Sequence, residues 1–364
     1  MKILHCIYDH TCNPWVGGGG AVRVREIYRR LAAGHEITVL SGRYPGAAGY
    51  SESGFNYEFL GTDKNSYLLS TFCYAVQAAG YVKANADRYD VIVEDFAPYN
   101  PLFSFLRHEN AVVQLHQREG IRHLKKYAFA GLPFLLIEKY YPGFFKNAVT
   151  ISEMSREKYG LKGKAAVIPN GFDGALLDIE SEEGDYVLFL GRLHIGQKGL
   201  DILSRALEHT GCRLIIAGGG KDEAKVRELF RGGVQSGRVE FAGFVDGKEK
   251  TSLLGKCLFM TAPSRYEGQP LTLIEAAACA KPVIVSDIPE LRYAVDAGFG
   301  LSFKAGDAKN LAEKMDLLLR DPSLRREMGI KGRSYASNFT WDRIAVDFET
   351  FLLGVTEGNS ENTE

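Results

Sequence analysis

The chain has 364 residues, 45% of them hydrophobic and 24% charged, and a formal net charge of -1. That length exceeds one ordinary domain, and the composition argues against extended disorder, so two globular domains are the expectation. The near-neutral sum covers an asymmetry: residues 1–170 carry 20 Lys and Arg against 15 Asp and Glu, the remainder 24 against 30. The first half is therefore the better candidate for an anionic partner, with ordinary surface variation as the alternative reading. Cys6, Cys12, Cys73, Cys212, Cys257 and Cys279 form no CxxC pair and read as free thiols in a reducing compartment. The first apolar run is too short for a secretory signal, and none is long enough to span a bilayer, so a cytoplasmic location is expected.

In chain order, Lys2–Tyr8 reads as a strand, and a glycine run at Gly17–Gly20 opens a helix with Val22, Ile27 and Leu31 on its apolar stripe. Gly34-His35 ends that helix before a strand at Glu36–Ser41. Further strands are expected at Phe55–Leu60, Asp90–Glu94, Ala111–His116, Ala148–Ile151 and Ala165–Ile168, several separated by helices. After Asn170-Gly171 and a polar linker at Ile179–Asp185, a second series begins at Tyr186–Leu190. It continues at Arg213–Ala217, Val239–Ala242, Leu258–Thr261, Pro282–Ser286 and Leu301–Phe303. Alternating strands and helices predict two α/β domains with mainly parallel sheets, residues 1–170 and 171–340. Helices near Ser323–Ala336 and Trp341–Leu353 follow, and the polar residues 354–364 read as a disordered tail.

Residues with chemistry gather where strands end, which is where open α/β sheets bind ligands. Gly17–Gly20 lets the backbone approach an anion at a helix N-terminus, although it matches neither GxGxxG nor GxxxxGK[ST] and a plain turn is an equal reading. His116 closes an apolar strand. A buried, hydrogen-bonded histidine is the plainer account, while its strand-end place suits orienting a sugar hydroxyl. His116, His123 and His194 lack ligand spacing, so no metal is expected. The segment Gly191–Gly199 offers Arg192 and Lys198 to a diphosphate. Gly218–Gly220 follows another strand, where glycines either reverse the chain or open room for a nucleotide. Pro263–Gly268 precedes a helical stretch, Leu271–Ala280, with Glu267 before it and Glu275 inside it. Eight residues apart, the two glutamates need not share a face and do not by spacing describe an acid–base pair; gripping different hydroxyls fits better.

With these residues in place the chain resembles glycosyltransferase family 4, whose members have the two-domain GT-B architecture. The pattern is Pro263-Ser264, Glu267-Gly268 and Glu275-Ala276, together with the early glycine loop, Gly34-His35, His116, Ile168–Gly171, Gly191-Arg192 and Lys198-Gly199. The resemblance spans roughly residues 1–290. It implies two Rossmann-like doubly wound domains facing across a deep cleft, an N-terminal acceptor side and a C-terminal nucleotide-sugar side, and a last helix, 341–353, crossing back to the first domain. It also implies retaining transfer of a glycosyl group from a nucleotide diphosphate sugar to a hydroxyl of a saccharide or lipid-linked acceptor, as in polysaccharide or cell-envelope synthesis, with no required metal or other cofactor. Arg192 and Lys198 would hold the diphosphate and Glu275 the ribose. Glu267 would meet the transferred sugar, and His116 would sit at the reacting centre. Phe244 and Val245 would line the base pocket, Gly18 and Gly19 match the early glycine pair, and Gly268, Gln269, Leu271 and Thr272 lie beside the donor. The family has Gly-Phe-Gly where this chain has Gly268-Gln269-Pro270, so Pro270 removes a backbone donor near the sugar.

The stretch Arg118–Lys146 holds six Lys or Arg against two Glu and several aromatics. Arg118, Arg122, Lys125 and Lys126 are its acceptor-side candidates, and the mixture suits an anionic membrane surface as well as a packed segment with a basic exterior. The competing functions are a phosphorylase or nucleotide-sugar epimerase of the same architecture, and a catalytically weak nucleotide-binding regulator. No nucleic-acid reading module accompanies the basic residues.

Overall fold

The computed structural model describes residues 1–360 other than Gln117 and Lys162, and side chains other than those of 125–127, 130 and 358–360. The chain divides into two units, Met1–Asn170 with the residues from Trp341 on, and Gly171–Thr340.

The first unit is built on eight strands: β1 (Lys2–Ile7), β2 (Glu36–Gly42), β3 (Tyr50–Glu52), β4 (Phe55–Leu60), β5 (Val91–Asp95), β6 (Ala111–Leu115), β7 (Asn147–Thr150) and β8 (Lys164–Val167). Their order is β3-β4-β2-β1-β5-β6-β7-β8, parallel throughout except for the antiparallel β3–β4 pair. Ile3, Leu4 and Cys6 of β1, and Val91–Val93 of β5, are buried as continuous runs, as expected for parallel strands covered on both faces. From β1 the chain turns one way, through the helix Gly19–Leu31 to β2. It later returns through Tyr67–Asn85 to β5 on the other side of β1. Loops leaving β1 and β5 therefore diverge, opening a crevice at their C-terminal ends. β3 was not expected from the sequence. Its three residues are too short for a period, and tertiary pairing decides it, with Tyr50 stacked on Tyr57 at 5.1 Å.

The final helix packs on the helix Gly19–Leu31 and runs from Trp341 to Ser360, which corrects the expected end at Leu353 and the expected disordered tail. Ile344, Phe348, Phe351, Leu352 and Val355 make one buried stripe at helical spacing, so the apolar face continues through Gly354 for a further turn. Residues 361–364 lie outside the described set.

The second unit has β9 (Tyr186–Leu190), β10 (Arg213–Ala217), β11 (Val239–Gly243), β12 (Phe259–Ala262), β13 (Val283–Ser286) and β14 (Gly300–Phe303), all parallel, in the order β11-β10-β9-β12-β13-β14. Alternation along each strand feeds two cores. Leu188, Ile215 and Met260 face one, with Leu273 and Ile274 of the helix Leu271–Ala278; Val187, Phe189, Leu214 and Phe259 face the other, with Leu200 and Leu203. Here the direction of winding reverses between β9 and β12, which are neighbours in the sheet. A helix at Pro322–Ala336 starts where Asp321 accepts from Leu324 N at 2.8 Å and Pro322 fills the first position. Asp321→Ala is expected to cost about 1 kcal/mol in urea denaturation of the full chain.

Candidate functional site

In the second unit the loops after β9 and β12 meet. Gly199 has φ +66, and a Cβ there would collide with the Pro263 carbonyl, so only glycine allows this approach. The contact brings Lys198 beside the loop 263–268. Lys198 Nζ donates to Glu267 Oε1 at 2.6 Å, and Ser264 Oγ donates to the same oxygen at 2.6 Å. Arg265 laces the two loops together: its backbone N–H donates to the Gln197 carbonyl at 2.7 Å, and its guanidinium grips both oxygens of Asp201 at 2.9 and 2.7 Å. Glu267 is only 4% exposed.

Pro270 then precedes the helix Leu271–Ala278, whose first free N–H groups belong to Leu271 and Thr272. Glu275 lies inside that helix, 8% exposed, and accepts from Lys250 Nζ at 2.7 Å. Each glutamate thus has its own lysine. Such a pair suits two separate hydroxyl-binding carboxylates rather than an acid–base couple. Arg192 follows β9 and is exposed, Gly268 and Gln269 are partly buried, and Phe244 is 79% exposed. The Val245 side chain packs into the hydrophobic core, leaving its backbone just past β11.

The first unit holds a second constellation at its own winding reversal. Asp95 ends β5, and His116 follows β6; His116 Nε2 donates to the Asp95 carboxylate at 2.9 Å. Gln114 Nε2 also donates to Asp95, at 2.7 Å, and His5 Nε2 lies 3.6 Å away. Burial pushes the Asp95 carboxyl up, yet His116 and His5 beside it win and hold it well below the usual carboxylate range. His5 is lowered by its burial, with Asp95 opposing. Gly18 donates its N–H to Asp9 Oδ2 at 3.0 Å and caps the helix that Gly19 begins, while a Cβ on Gly20 would lie 3.5 Å from His116 Nε2. The glycine run therefore meets His116 through Gly20, while Gly18 faces Asp9.

Of the basic candidates, Arg118 is engaged within its own unit, donating to the Lys158 carbonyl and lying 5.8 Å from the Tyr159 ring. Arg122 starts the helix Arg122–Tyr127; the side chains of Lys125 and Lys126 on it lie outside the described residues. Two residues escaped the sequence reading. Asp95 carried a signal, a carboxylate at the end of the apolar Val91–Val93 run, of the kind that singled out His116. Lys250 carried none, being one lysine among several on a polar helix. Lys250→Met is expected to weaken binding of a nucleoside diphosphate about tenfold by leaving Glu275 without its cation, as read by calorimetric titration.

Among the described residues no group of three or more His, Cys, Asp or Glu is placed to hold a metal ion, and no helix is long and apolar enough to cross a membrane. The six cysteines are free, four of them buried and Cys12 exposed.

Residues 17–175 match the family model Glycosyltransferase Family 4, and residues 178–335 match Glycosyl transferases group 1. An uncharacterized glycosyltransferase of Methanocaldococcus jannaschii is 33% identical over 215 residues, covering 56% of this chain and 60% of that protein. The phosphatidyl-myo-inositol mannosyltransferase of Mycolicibacterium smegmatis is 30% identical over 213 residues, covering 54% of each. The chain thus spans little more than half the length of these curated relatives. Among solved structures, a sucrose-phosphate synthase from Thermosynechococcus elongatus superposes with TM-score 0.80 at 20% identity, covering 98% of this chain and 100% of that one. Anabaena HepE in complex with UDP does so with TM-score 0.72 at 19% identity, covering 97% and 100%. Family 4 and group 1 models in tandem, over two Rossmann-like domains of the GT-B architecture, place this chain among the GT-B glycosyltransferases.

Proposed function

We propose that the chain transfers a glycosyl group, with retention of configuration, from a nucleoside diphosphate sugar to a hydroxyl of a saccharide or lipid-linked acceptor. One observation carries the reading: Glu267, nearly buried at the β9–β12 reversal, shares a single oxygen with Lys198 and Ser264, while Glu275 is held separately by Lys250. In this reading Glu275 binds the ribose, Glu267 the transferred sugar, and Arg192 and Lys198 the diphosphate. The backbone of Phe244 and Val245 borders the base, with Gly268, Gln269, Leu271 and Thr272 beside the donor sugar and phosphate. The acceptor oxygen bonds to the anomeric carbon on the face from which the bond to phosphate breaks. The acceptor proton passes to the leaving phosphate, whose charge Arg192, Lys198 and the N–H groups of Leu271 and Thr272 stabilise without a metal. Pro270 withdraws one backbone donor at this point, so the donor sugar is chosen by Gln269 and its neighbours.

The test is a panel of uridine, guanosine and adenosine diphosphate sugars, followed by nucleoside diphosphate release and thermal shift. Release that depends on an acceptor supports transfer. Cleavage that depends on phosphate and needs no nucleotide supports a phosphorylase, and epimerised donor without acceptor supports an epimerase. Tight donor binding with no turnover across a broad acceptor panel supports a regulator.

The acceptor side belongs with the first unit, and the cytoplasmic face of an anionic membrane is the place we assign it. Phe129 is 93% exposed, and Leu132, Leu136 and Tyr140 are exposed at four-residue spacing along the helix Leu132–Tyr140. The one acid of that helix, Glu138, is buried, whereas Lys139 is exposed and lies 5.0 Å from the Tyr140 ring. On that helix the exposed apolar stripe is bordered by a cation, which suits an anionic lipid surface. Cosedimentation with vesicles containing anionic lipid, and not with neutral ones, is the expected result; equal recovery in both supernatants removes the membrane from the proposal.

A further inference from the structure

Arg23, on the helix that follows the glycine run, is entirely buried, and it ranks among the largest side chains in the chain with no solvent exposure. A buried guanidinium costs several kcal/mol unless its surroundings repay it, so a chain that keeps one is using it. Its Nε donates to Gln114 Oε1 at 3.2 Å, and its Nη1 donates to the Pro169 carbonyl at 2.6 Å. Gln114 in turn donates from Nε2 to Asp95 Oδ2 at 2.7 Å, and Asp95 receives His116. The four side chains form one continuous hydrogen-bonded file that begins on a helix, crosses β6 and β5, and ends at the strand-end histidine.

The direction of each bond in that file is fixed from its two charged members, the donor-only Arg23 and the acceptor-only Asp95 carboxylate. A guanidinium has only donors, so the Gln114 oxygen must face Arg23 and its amide nitrogen must face Asp95. With one carboxylate oxygen occupied by that amide, Asp95 takes the Nε2 proton of His116. The ring is then left with Nδ1 as the nitrogen able to meet a ligand, as an acceptor when the imidazole is neutral. Without Arg23 the Gln114 oxygen loses its buried donor, and the amide that pins one Asp95 oxygen is anchored from one side alone. We infer that Arg23 is a positioning residue for His116, setting the orientation of that imidazole through Gln114 and Asp95. Burial lowers Arg23 from its usual value to about 10, with Asp95 the largest opposing charge, which accords with a cation spent on a distant carboxylate rather than on solvent. The use of His116 in glycosyl transfer rests on the reading above, whereas its geometry does not.

The decisive experiment therefore reads the imidazole directly. Full-length chain labelled with nitrogen-15 at histidine is compared with Arg23→Met and with Gln114→Met, the His116 signals being those lost in His116→Gln. The wild type is expected to show the Nε2-protonated tautomer as one sharp set of signals, and both variants shifted or broadened His116 signals. Turnover should fall about 10- to 100-fold in both, with nucleoside diphosphate affinity unchanged, because the residues assigned to the nucleotide lie in the second unit. A folded variant with the wild-type His116 spectrum overturns the inference, and if Arg23→Met does not fold, Gln114→Met decides it with Arg23 still in place. A wild type that releases nucleotide from no donor sinks the transfer reading and leaves the spectrum to judge Arg23.

Discussion

Lys198→Met is expected to lower acceptor-dependent release of nucleoside diphosphate by about 100- to 1000-fold, the range found when one preorganised group is removed from a developing anion. Two losses combine in that figure. The ammonium at 2.6 Å from Glu267 disappears, leaving a carboxylate that is almost out of solvent with Ser264 as its described donor. The proposed leaving diphosphate also loses a cation on which its charge accumulates. Lys198→Arg should rescue little, because a planar fork cannot occupy the position of a compact ammonium whose loop is pinned by Gly199 against Pro263. The measurement is kcat at saturating donor, with nucleotide affinity determined separately. A kcat within about threefold of wild type would take Lys198 out of the reaction.

Asp95→Ala is expected to destabilise the first unit by about 3–5 kcal/mol, as breaking a buried charge partnership does. Asp95 receives His116 and Gln114 and is the largest charge opposing the burial cost of Arg23, so its removal strands a guanidinium that has no route to water. Urea denaturation followed through the first unit reads the loss. Its pH dependence has a definite sign. The folded Asp95 carboxyl lies below the ordinary aspartate value of about 3.9, so its stabilisation is fully present above that value and is lost as pH falls through the folded one. The advantage of wild type over Asp95→Asn should accordingly shrink below about pH 4, and an advantage that grows there would contradict the assignment.

Most strands were legible because parallel strands covered on both faces are unbroken apolar runs: Tyr186–Leu190 and Arg213–Ala217 needed no tertiary information. β3 did, since three residues have no period and only β4 makes them a strand. The end of the last helix was misread because Gly354 and the polar residues after it suggested a stop. Val355 continues the stripe of Phe348, Phe351 and Leu352, and burial of that residue outweighs composition. For Val245 the sequence offered a place in a segment but not the direction of its side chain, which packing into the core decided.

By itself the sequence determined a two-domain α/β chain, because hydrophobic period and strand-end glycines are local, and the Glu267–Glu275 segment with its companion motifs carried the resemblance that implied the GT-B glycosyltransferases. It also determined which residue types gather at strand ends. Only the tertiary structure decided who partners whom. Lys198 reaches Glu267 because β9 and β12, far apart in sequence, are neighbours where the winding reverses. Lys250 reaches Glu275 from a separate helix, and Arg23 reaches His116 through residues of two other strands. Partnerships of this kind depend on sheet order, which a chain fixes through packing across many residues and never writes at any one of them.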